Sequence, residues 1–178
     1  MIYSYQQLQE TLRAGLDTKI DIIDCGVSIY SLTTRDCSVA IAQIGEVLAA
    51  AGALDRQYRQ ADETRHSKTT PHKAVAVLIN GKLPTEAEQT IPGYQTAMNN
   101  IFMAMEKLIP QADLAAVWLL IENPEGKILL SPLEMRDLID DLNSPWLAVY
   151  FNPDHVNNSL NAEDFRQTLG SRVYAPIT

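Results

Sequence analysis

Short apolar segments alternate along this chain with longer segments whose apolar residues recur every three or four positions. The short segments lie at 20–25, 74–79, 114–121 and 146–151, and the sequence RVYAPI at 172–177 adds a fifth. A continuous apolar segment of this length, bounded by turn-forming residues, indicates a buried strand. The pattern therefore predicts about five strands.

The intervening segments predict helices. Leu8, Leu12 and Leu16 repeat at every fourth position, and a second stripe follows Asp36, which is a good N-cap, and ends at Gly52. A third stripe, over 98–109, is closed by Pro110. Residues 56–73 have almost no apolar positions and no period, which predicts a long loop.

Two later helices carry clear start signals. Ser131, Pro132 and Glu134 form the pattern of a capping box with proline at the first helical position. Asn161 can cap another helix, which Gly170 would end. Strands that alternate with helices, and that are too apolar to have a wet face, predict an α/β protein with a parallel sheet, here as a single domain over 1–178.

Composition narrows the possible partners. The net charge is −8 and the isoelectric point about 4.8, which argues against nucleic-acid binding because a phosphate-contacting surface needs a basic excess. The N-terminal residues lack the apolar core of a signal peptide, and no uninterrupted apolar run has the length of a membrane span. We therefore predict a cytoplasmic protein without a membrane partner, and we interpret Cys25 and Cys37 as small core residues.

Candidate chemistry follows two neighbouring strands. In a parallel sheet of this class the ligand site lies beyond the carboxyl ends of the strands, where Glu122, Asn152, Asp154 and His155 fall. Glu122 could act as a general base or bind a metal ion, and the alternative is a solvated loop carboxylate. The sequence NPDH offers oxygen and nitrogen ligands, although a simple turn has the same composition.

Basic residues concentrate at 56–73, where Arg65 and Lys68 could hold the phosphate or carboxylate of a substrate, the alternative being a solvated loop. Neither G-x-G-x-x-G nor G-x-S-x-G occurs, so dinucleotide binding and a hydrolase-type serine have no support from these motifs.

The order of motifs over about 36–172 resembles the sugar phosphate isomerase/epimerase family, the xylose-isomerase-like TIM barrels. The motifs that carry this resemblance are LLIEN at 119–123, SPLE at 131–134, NSPWLAVYFNPDHV at 143–156 and LGSRV at 169–173. Eight strand–helix units need about 250 residues, and this chain has room for five or six. The resemblance therefore implies an incomplete or reduced TIM-barrel-like architecture.

The resemblance also implies roles for individual residues. Glu122 would be the catalytic, proton-transferring glutamate, and Glu122, Asn152 and His155 would be metal ligands for Mn, Mg or Zn. Asn152 stands where the family has a metal-binding aspartate, and the loss of a negative charge predicts a weakened, degenerate site. His155, Asn152, Asp154, Arg65 and Lys68 would contact the substrate.

These features together predict a sugar or sugar-phosphate isomerase/epimerase-like protein, with proton transfer next to a carbonyl if it is active. The alternative is a non-catalytic small-ligand-binding protein or dimeric scaffold derived from the same fold. An open barrel would expose a sheet edge, and because such an edge tends to associate, we also predict a homodimer.

Overall fold

The computed structural model describes residues 2–14, 20–64, 75–85, 91–156 and 161–174. In this part of the chain, five strands alternate with five α helices. The strands are β1 (Ile2–Ser4), β2 (Ile22–Ser28), β3 (Ala76–Asn80), β4 (Trp118–Glu122) and β5 (Leu147–Tyr150). The helices are α1 (Tyr5–Ala14), α2 (Ser38–Thr64), α3 (Tyr94–Ala115), α4 (Pro132–Leu142) and α5 (Ala162–Leu169). Short 3₁₀ turns cover Ile29–Leu32, Pro153–His155 and Gly170–Arg172.

The strands form one parallel sheet in the order β1-β2-β3-β4-β5. Each strand pairs with the next one along the chain, so the winding never reverses. This is the winding of a β/α barrel, whereas a doubly wound sheet changes direction at a switch point. The predicted α/β class with parallel β/α units is confirmed.

An isolated parallel bridge lies beside β5, on the side away from β4. Val173 forms a parallel bridge to Val149, and the Tyr174 N–H donates to the Val149 carbonyl at 2.8 Å. This bridge falls within the strand predicted at 172–177, of which residues 175–178 lie outside the described residues. The fifth strand of the sheet is instead β1, which the apolar pattern did not indicate because it has three residues.

The two faces of the sheet differ. The face that we call the outer face carries Ile23, Val77, Leu119, Ile121 and Val149, which share one large apolar core with residues of all five helices. The other face, here the inner face, carries the smaller cluster of Ile22, Ala76, Leu78, Leu120 and Ala148. Successive side chains of a strand point to opposite faces, and this period of two separates the clusters.

Helix α2 is longer than predicted. It continues to Thr64, so the loop predicted at 56–73 is wrong for 56–64, and residues 65–73 lie outside the described residues. Leu54 is buried and the Tyr58 hydroxyl accepts a hydrogen bond from the Ile20 N–H at 3.0 Å, which continues the packed face of the helix.

Gly52 therefore does not end α2. A Cβ at Gly52 would lie 2.7 Å from the carbonyl oxygen of Ala115 at the end of α3. A glycine is needed here because the α3 backbone approaches α2 too closely for a side chain.

Helix α3 is also longer than predicted. Pro110 lies inside it, and the helix ends at Ala115, followed by the C-cap Ala116, whose φ of 55° is left-handed. The strand predicted at 114–121 consequently begins at Trp118. Burial of α3 residues on both sides of Pro110, including Leu108 and Ala112, outweighs the local cost of the proline.

The segment Ser38–Gln60 of α2 has the length and apolar composition of a membrane span. Its residues Ile44, Val47 and Leu48 lie in the outer-face core, and 39% of the segment is buried inside the protein.

The predicted helix caps near the site are present. The Ser131 hydroxyl accepts from the Glu134 N–H, and the Glu134 carboxylate accepts from the Ser131 N–H. The Asn161 side chain accepts from the Glu163 N–H at the start of α5, and Gly170, with a φ of +56°, ends that helix.

Candidate functional site

Glu122 ends strand β4 with its carboxylate almost completely buried, the residue being 6% exposed. Its Oε2 atom accepts a hydrogen bond from the Gly81 N–H at 2.7 Å, and its Oε1 atom accepts from Asn152 Nδ2 at 2.9 Å. Gly81 follows β3 and Asn152 follows β5. Glu122 therefore connects the ends of three strands.

The side-chain amide of Asn152 has one orientation that satisfies both of its neighbours. Its nitrogen donates to the Glu122 carboxylate, and its oxygen accepts from the Asp154 N–H at 3.0 Å. A carboxylate can only accept and a backbone N–H can only donate, so the two partners fix which end of the amide faces which. The second contact caps the 3₁₀ turn Pro153–His155.

Asn123 extends the pairing of β4 and β5 beyond their last residues. Its Oδ1 atom accepts from the Asn152 N–H at 2.6 Å, and its Nδ2 atom donates to the Asn152 carbonyl at 2.9 Å. The residue is 2% exposed. The sequence reasoning quoted Asn123 in LLIEN but gave it no role. An asparagine side chain has one donor and one acceptor, as a strand backbone does. An asparagine directly after a predicted strand could therefore have indicated that the pairing continues.

His155 is held against the loop that follows β4. Its Nδ1 atom lies 2.9 Å from the Asn123 carbonyl oxygen, and its Nε2 atom lies 3.1 Å from Glu125 Oε1. Both ring nitrogen atoms of His155 are therefore occupied by contacts with the loop after β4.

Gly81 allows the loops after β3 and β4 to approach each other. A Cβ at this position would lie 2.6 Å from the Asn123 carbonyl oxygen and 2.8 Å from Pro124 Cα. The Gly81 carbonyl also accepts from the Glu125 N–H at 2.8 Å. The close contact of the two loops depends on the missing side chain.

Tyr30 anchors the same loop from the outer-face core. It is fully buried, and its hydroxyl donates to the Glu125 carbonyl and accepts from the Lys127 N–H at 3.1 Å. Burial raises the pKa of the Tyr30 hydroxyl, so it stays protonated and able to donate. Sequence reasoning did not find this residue, because one tyrosine in an apolar segment carries no signal of its own.

Four polar side chains lie on the inner face toward the carboxyl end of the sheet: Asp24 within β2, and Asn80, Glu122 and Tyr150 as the last residues of β3, β4 and β5. We call this set the inner rim. Asp24 and Asn80 lie at even spacing from the inner-face residues Ile22 and Leu78, and Glu122 is paired in register with Tyr150. Asn80 Nδ2 lies 3.4 Å from Asp24 Oδ1. Sequence reasoning found Glu122 and missed the other three, although counting by two along each strand would have indicated them.

The remaining residues with a predicted substrate role lie apart from this rim or outside the described chain. Asp154 is exposed, and its backbone N–H, not its carboxylate, contacts Asn152. Arg65 and Lys68 lie outside the described residues. The roles predicted for these three residues stay predictions.

The predicted metal ligands do not fit a divalent ion in this arrangement. Asn152 presents its amide nitrogen, not its oxygen, to Glu122, and His155 directs both ring nitrogen atoms at Asn123 and Glu125. A cation cannot lie between an N–H donor and the carboxylate that accepts from it. Within the described ranges, no group of three or more His, Cys, Asp and Glu side chains is placed to hold a metal ion.

Comparison of the sequence with protein-family models and with curated proteins gives no match. Solved structures with a similar fold do exist. A D-tagatose 3-epimerase-like protein is 16% identical with a TM-score of 0.62, and the match covers 94% of this chain and 57% of that chain. D-Psicose 3-epimerase with D-tagatose, from Clostridium cellulolyticum H10, is 17% identical with a TM-score of 0.65, covering 96% and 56%. An L-ribulose 3-epimerase is 18% identical with a TM-score of 0.60, covering 97% and 56%.

This chain spans a little over half of the length of each of these proteins. At such low sequence identity the likeness concerns the fold. It agrees with the five parallel strands wound in one direction, where a complete barrel has eight. The chain therefore has a reduced form of the TIM-barrel-like fold of these sugar epimerases, and the resemblance predicted from the sequence is confirmed for the fold.

Proposed function

We propose that this chain binds a small polyhydroxylated ligand, a sugar or sugar phosphate, at the inner rim, and that isomerase or epimerase activity is weak or absent. The observation that supports this proposal is the rim itself. Four polar side chains from four adjacent strands lie on one face, three of them at the carboxyl ends where ligands bind in parallel β/α folds.

The chemistry of the rim suits a sugar. Asp24 and Glu122 accept hydrogen bonds, Asn80 donates and accepts, and the Tyr150 hydroxyl does both, so the set can match hydroxyl groups that act as donor and acceptor at once. The apolar side chains of Leu78 and Leu120 lie one position below the rim on the same face. Sugars present C–H faces as well as hydroxyls, and a mixed surface of this kind accommodates both.

Glu122 is the group best placed for proton transfer, because each of its oxygen atoms retains a lone pair beyond the hydrogen bond it already accepts. Proton removal and return need positioned groups on both sides of the reacting carbon. Asp24 is the second carboxylate of the rim, and its Oδ1 atom already accepts from the Gly26 N–H at 2.8 Å. Because the oxygen atoms of Glu122 and the Oδ1 atom of Asp24 already accept hydrogen bonds within the protein, the two carboxylates are better suited to binding a sugar than to moving a proton.

The proposal is tested by titrating the metal-free protein with D-tagatose, D-psicose and L-ribulose and following the backbone amide resonances of the β3 and β4 ends by NMR. We expect saturable shifts with at least one of these sugars. Tyr150→Phe should weaken binding by about tenfold, the effect of one hydrogen bond. The matched control is Tyr94→Phe, since Tyr94 lies at the start of α3 and contacts Glu134. Absence of shifts at tens of millimolar sugar, or equal weakening by both variants, contradicts the proposal.

A phosphate on the ligand would be recognised by the predicted basic residues Arg65 and Lys68. Comparison of a ketose with its phosphate ester measures this contribution, and Arg65→Gln together with Lys68→Gln should remove the preference for the ester. If the ester binds no better than the free sugar, the ligand class is the unphosphorylated sugar.

The second candidate function is a homodimeric scaffold, and the edge of the sheet favours it. Among the described residues, β1 pairs with β2 alone, and Ile2 at this edge is 40% exposed. An unpaired strand edge can pair with another chain. Light scattering distinguishes a monomer from a dimer. A monomer at high micromolar concentration contradicts this candidate function. The cytoplasmic location and the lack of nucleic-acid and membrane partners remain predictions from composition.

A further inference from the structure

We propose that the Asn152 amide replaces a metal ion as the group that holds Glu122, and that the strand ends are locked by hydrogen bonds alone. The lock consists of Gly81, Glu122, Asn123 and Asn152. It concerns the integrity of the strand ends and does not rest on the proposed sugar binding, so either proposal can fail without the other.

A buried carboxylate needs compensation for its lost hydration. Glu122 is almost completely buried, and within the described chain no Lys, Arg or His side chain forms an ion pair with it. Its compensation comes from two N–H donors, at 2.7 Å and 2.9 Å, one on each carboxylate oxygen. Hydrogen bonds to an ionised acceptor are roughly twice as strong as those between neutral groups.

An aspartate at position 152 could not perform this function. The oxygen of Asn152 that accepts from the Asp154 N–H would be retained. The second oxygen would stand in place of the amide nitrogen, which lies 2.9 Å from Glu122 Oε1. Two carboxylate oxygens at that separation repel each other unless a proton or a cation lies between them. The identity of residue 152 thus decides whether the strand ends need a cation.

The lock spans three strands. Glu122 of β4 reaches Gly81 after β3 and Asn152 after β5, and Asn123 adds its two hydrogen bonds to the Asn152 backbone. Loss of the contact between Glu122 and Asn152 should therefore loosen β5 against β4 and be measurable as lost stability.

The test is a double-mutant cycle measured by urea unfolding in EDTA. Asn152→Asp places two carboxylates together, and Glu122→Gln places an amide donor against an amide donor. Each should lower the urea midpoint by about 1 M. The double variant reverses the pair, because the glutamine side chain introduced on β4 can accept from the Gly81 N–H and donate to the aspartate introduced after β5. It should recover most of the loss.

The controls are the same chemical changes at exposed positions on α3. Glu106→Gln and Asn99→Asp should leave the midpoint unchanged, since Glu106 and Asn99 are exposed and Asn99 can keep its contact with Gln95 as an aspartate. If a single variant at position 122 or 152 does not fold at all, folding of the double variant is the expected recovery.

Two results overturn the proposal. One is additive destabilisation, in which the double variant is as unstable as the two single variants summed. The other is a saturable rise of the wild-type midpoint with Mn²⁺ that Glu122→Gln abolishes. An unchanged wild-type midpoint between EDTA and 1 mM Mn²⁺, expected for a site filled by N–H donors, supports the proposal.

Discussion

The two faces of one sheet carry different kinds of interaction. The outer face packs Val77, Leu119 and Ile121 into a core shared with five helices, whereas the inner face has a small apolar cluster that gives way to the polar inner rim at the strand ends. Alternate residues of the same strand therefore serve different purposes. The comparison teaches that the stability of this fold resides mainly on the outer face, while polar side chains are accommodated on the inner face at one end.

The largest effect should come from truncating the outer face. Ile121 and Leu120 are neighbours on β4, both fully buried, with Ile121 on the outer face and Leu120 on the inner face. Ile121→Ala should lower the free energy of unfolding by about 4 kcal/mol, because helices on the outer face limit collapse of the cavity. Leu120→Ala should cost about 2 kcal/mol, because the smaller cluster can relax. Equal losses in chemical denaturation would show that the two faces contribute equally to stability.

The next largest loss of stability should come from disrupting the contact between the loops after β3 and β4. Gly81→Ala should lower the free energy of unfolding by about 2 to 3 kcal/mol, because the added Cβ would collide with the backbone of Asn123 and Pro124. Gly93→Ala is the control, since a Cβ at Gly93 would have open space around it. Should Gly81→Ala match Gly93→Ala in thermal unfolding, the two loops do not approach each other as described.

A smaller effect should follow from the contact between the outer core and the loop after β4. Tyr30→Phe removes the hydroxyl that bridges Glu125 and Lys127 and should cost about 1 kcal/mol, since water can replace part of the lost hydrogen bonding at the loop. Hydrogen exchange at the Lys127 amide should become faster. Unchanged exchange at that amide would show that the loop is held by other contacts.

The smallest effect should come from the exposed ion pair between Arg172 and Asp140, which are joined at 2.7 Å between Nη2 and Oδ2. The hydrogen bond from Arg172 lowers the pKa of Asp140 below its ordinary value. A carboxylate whose pKa is lower in the folded state contributes stability above its ordinary pKa and loses it as the pH falls through the lowered pKa. NMR titration of Asp140 should show the lowered pKa, and Arg172→Gln should return it to the ordinary range. A pKa that does not change in that variant contradicts the assignment.

Local signals in the sequence determined much of the fold. The caps at Ser131 and Asn161 and the apolar segments of β3, β4 and β5 were predictable because each depends on residues close in the chain. The errors at Gly52 and Pro110 arose where packing between α2 and α3 outweighed the usual role of glycine and proline as helix terminators. Helix packing of this kind joins distant residues and leaves no local pattern.

The candidate site was predictable in part. Its position at the carboxyl ends and the placement of Glu122 there followed from strand order. The direction of the Asn152 amide did not, because it depends on Glu122 on one side and the Asp154 N–H on the other. Asn80 and Tyr150 were missed, although they lie two residues beyond the inner-face residues Leu78 and Ala148 and could have been found by the period of two along each strand.

Calorimetric titration of the EDTA-treated protein with Mn²⁺ tests whether hydrogen bonds alone hold the strand ends, since a strand end locked by hydrogen bonds has no room for a cation between Glu122 and Asn152. We expect no saturable binding near one ion per chain up to millimolar Mn²⁺. Saturable binding at that stoichiometry, abolished by Glu122→Gln and unaffected by Glu106→Gln, would contradict it.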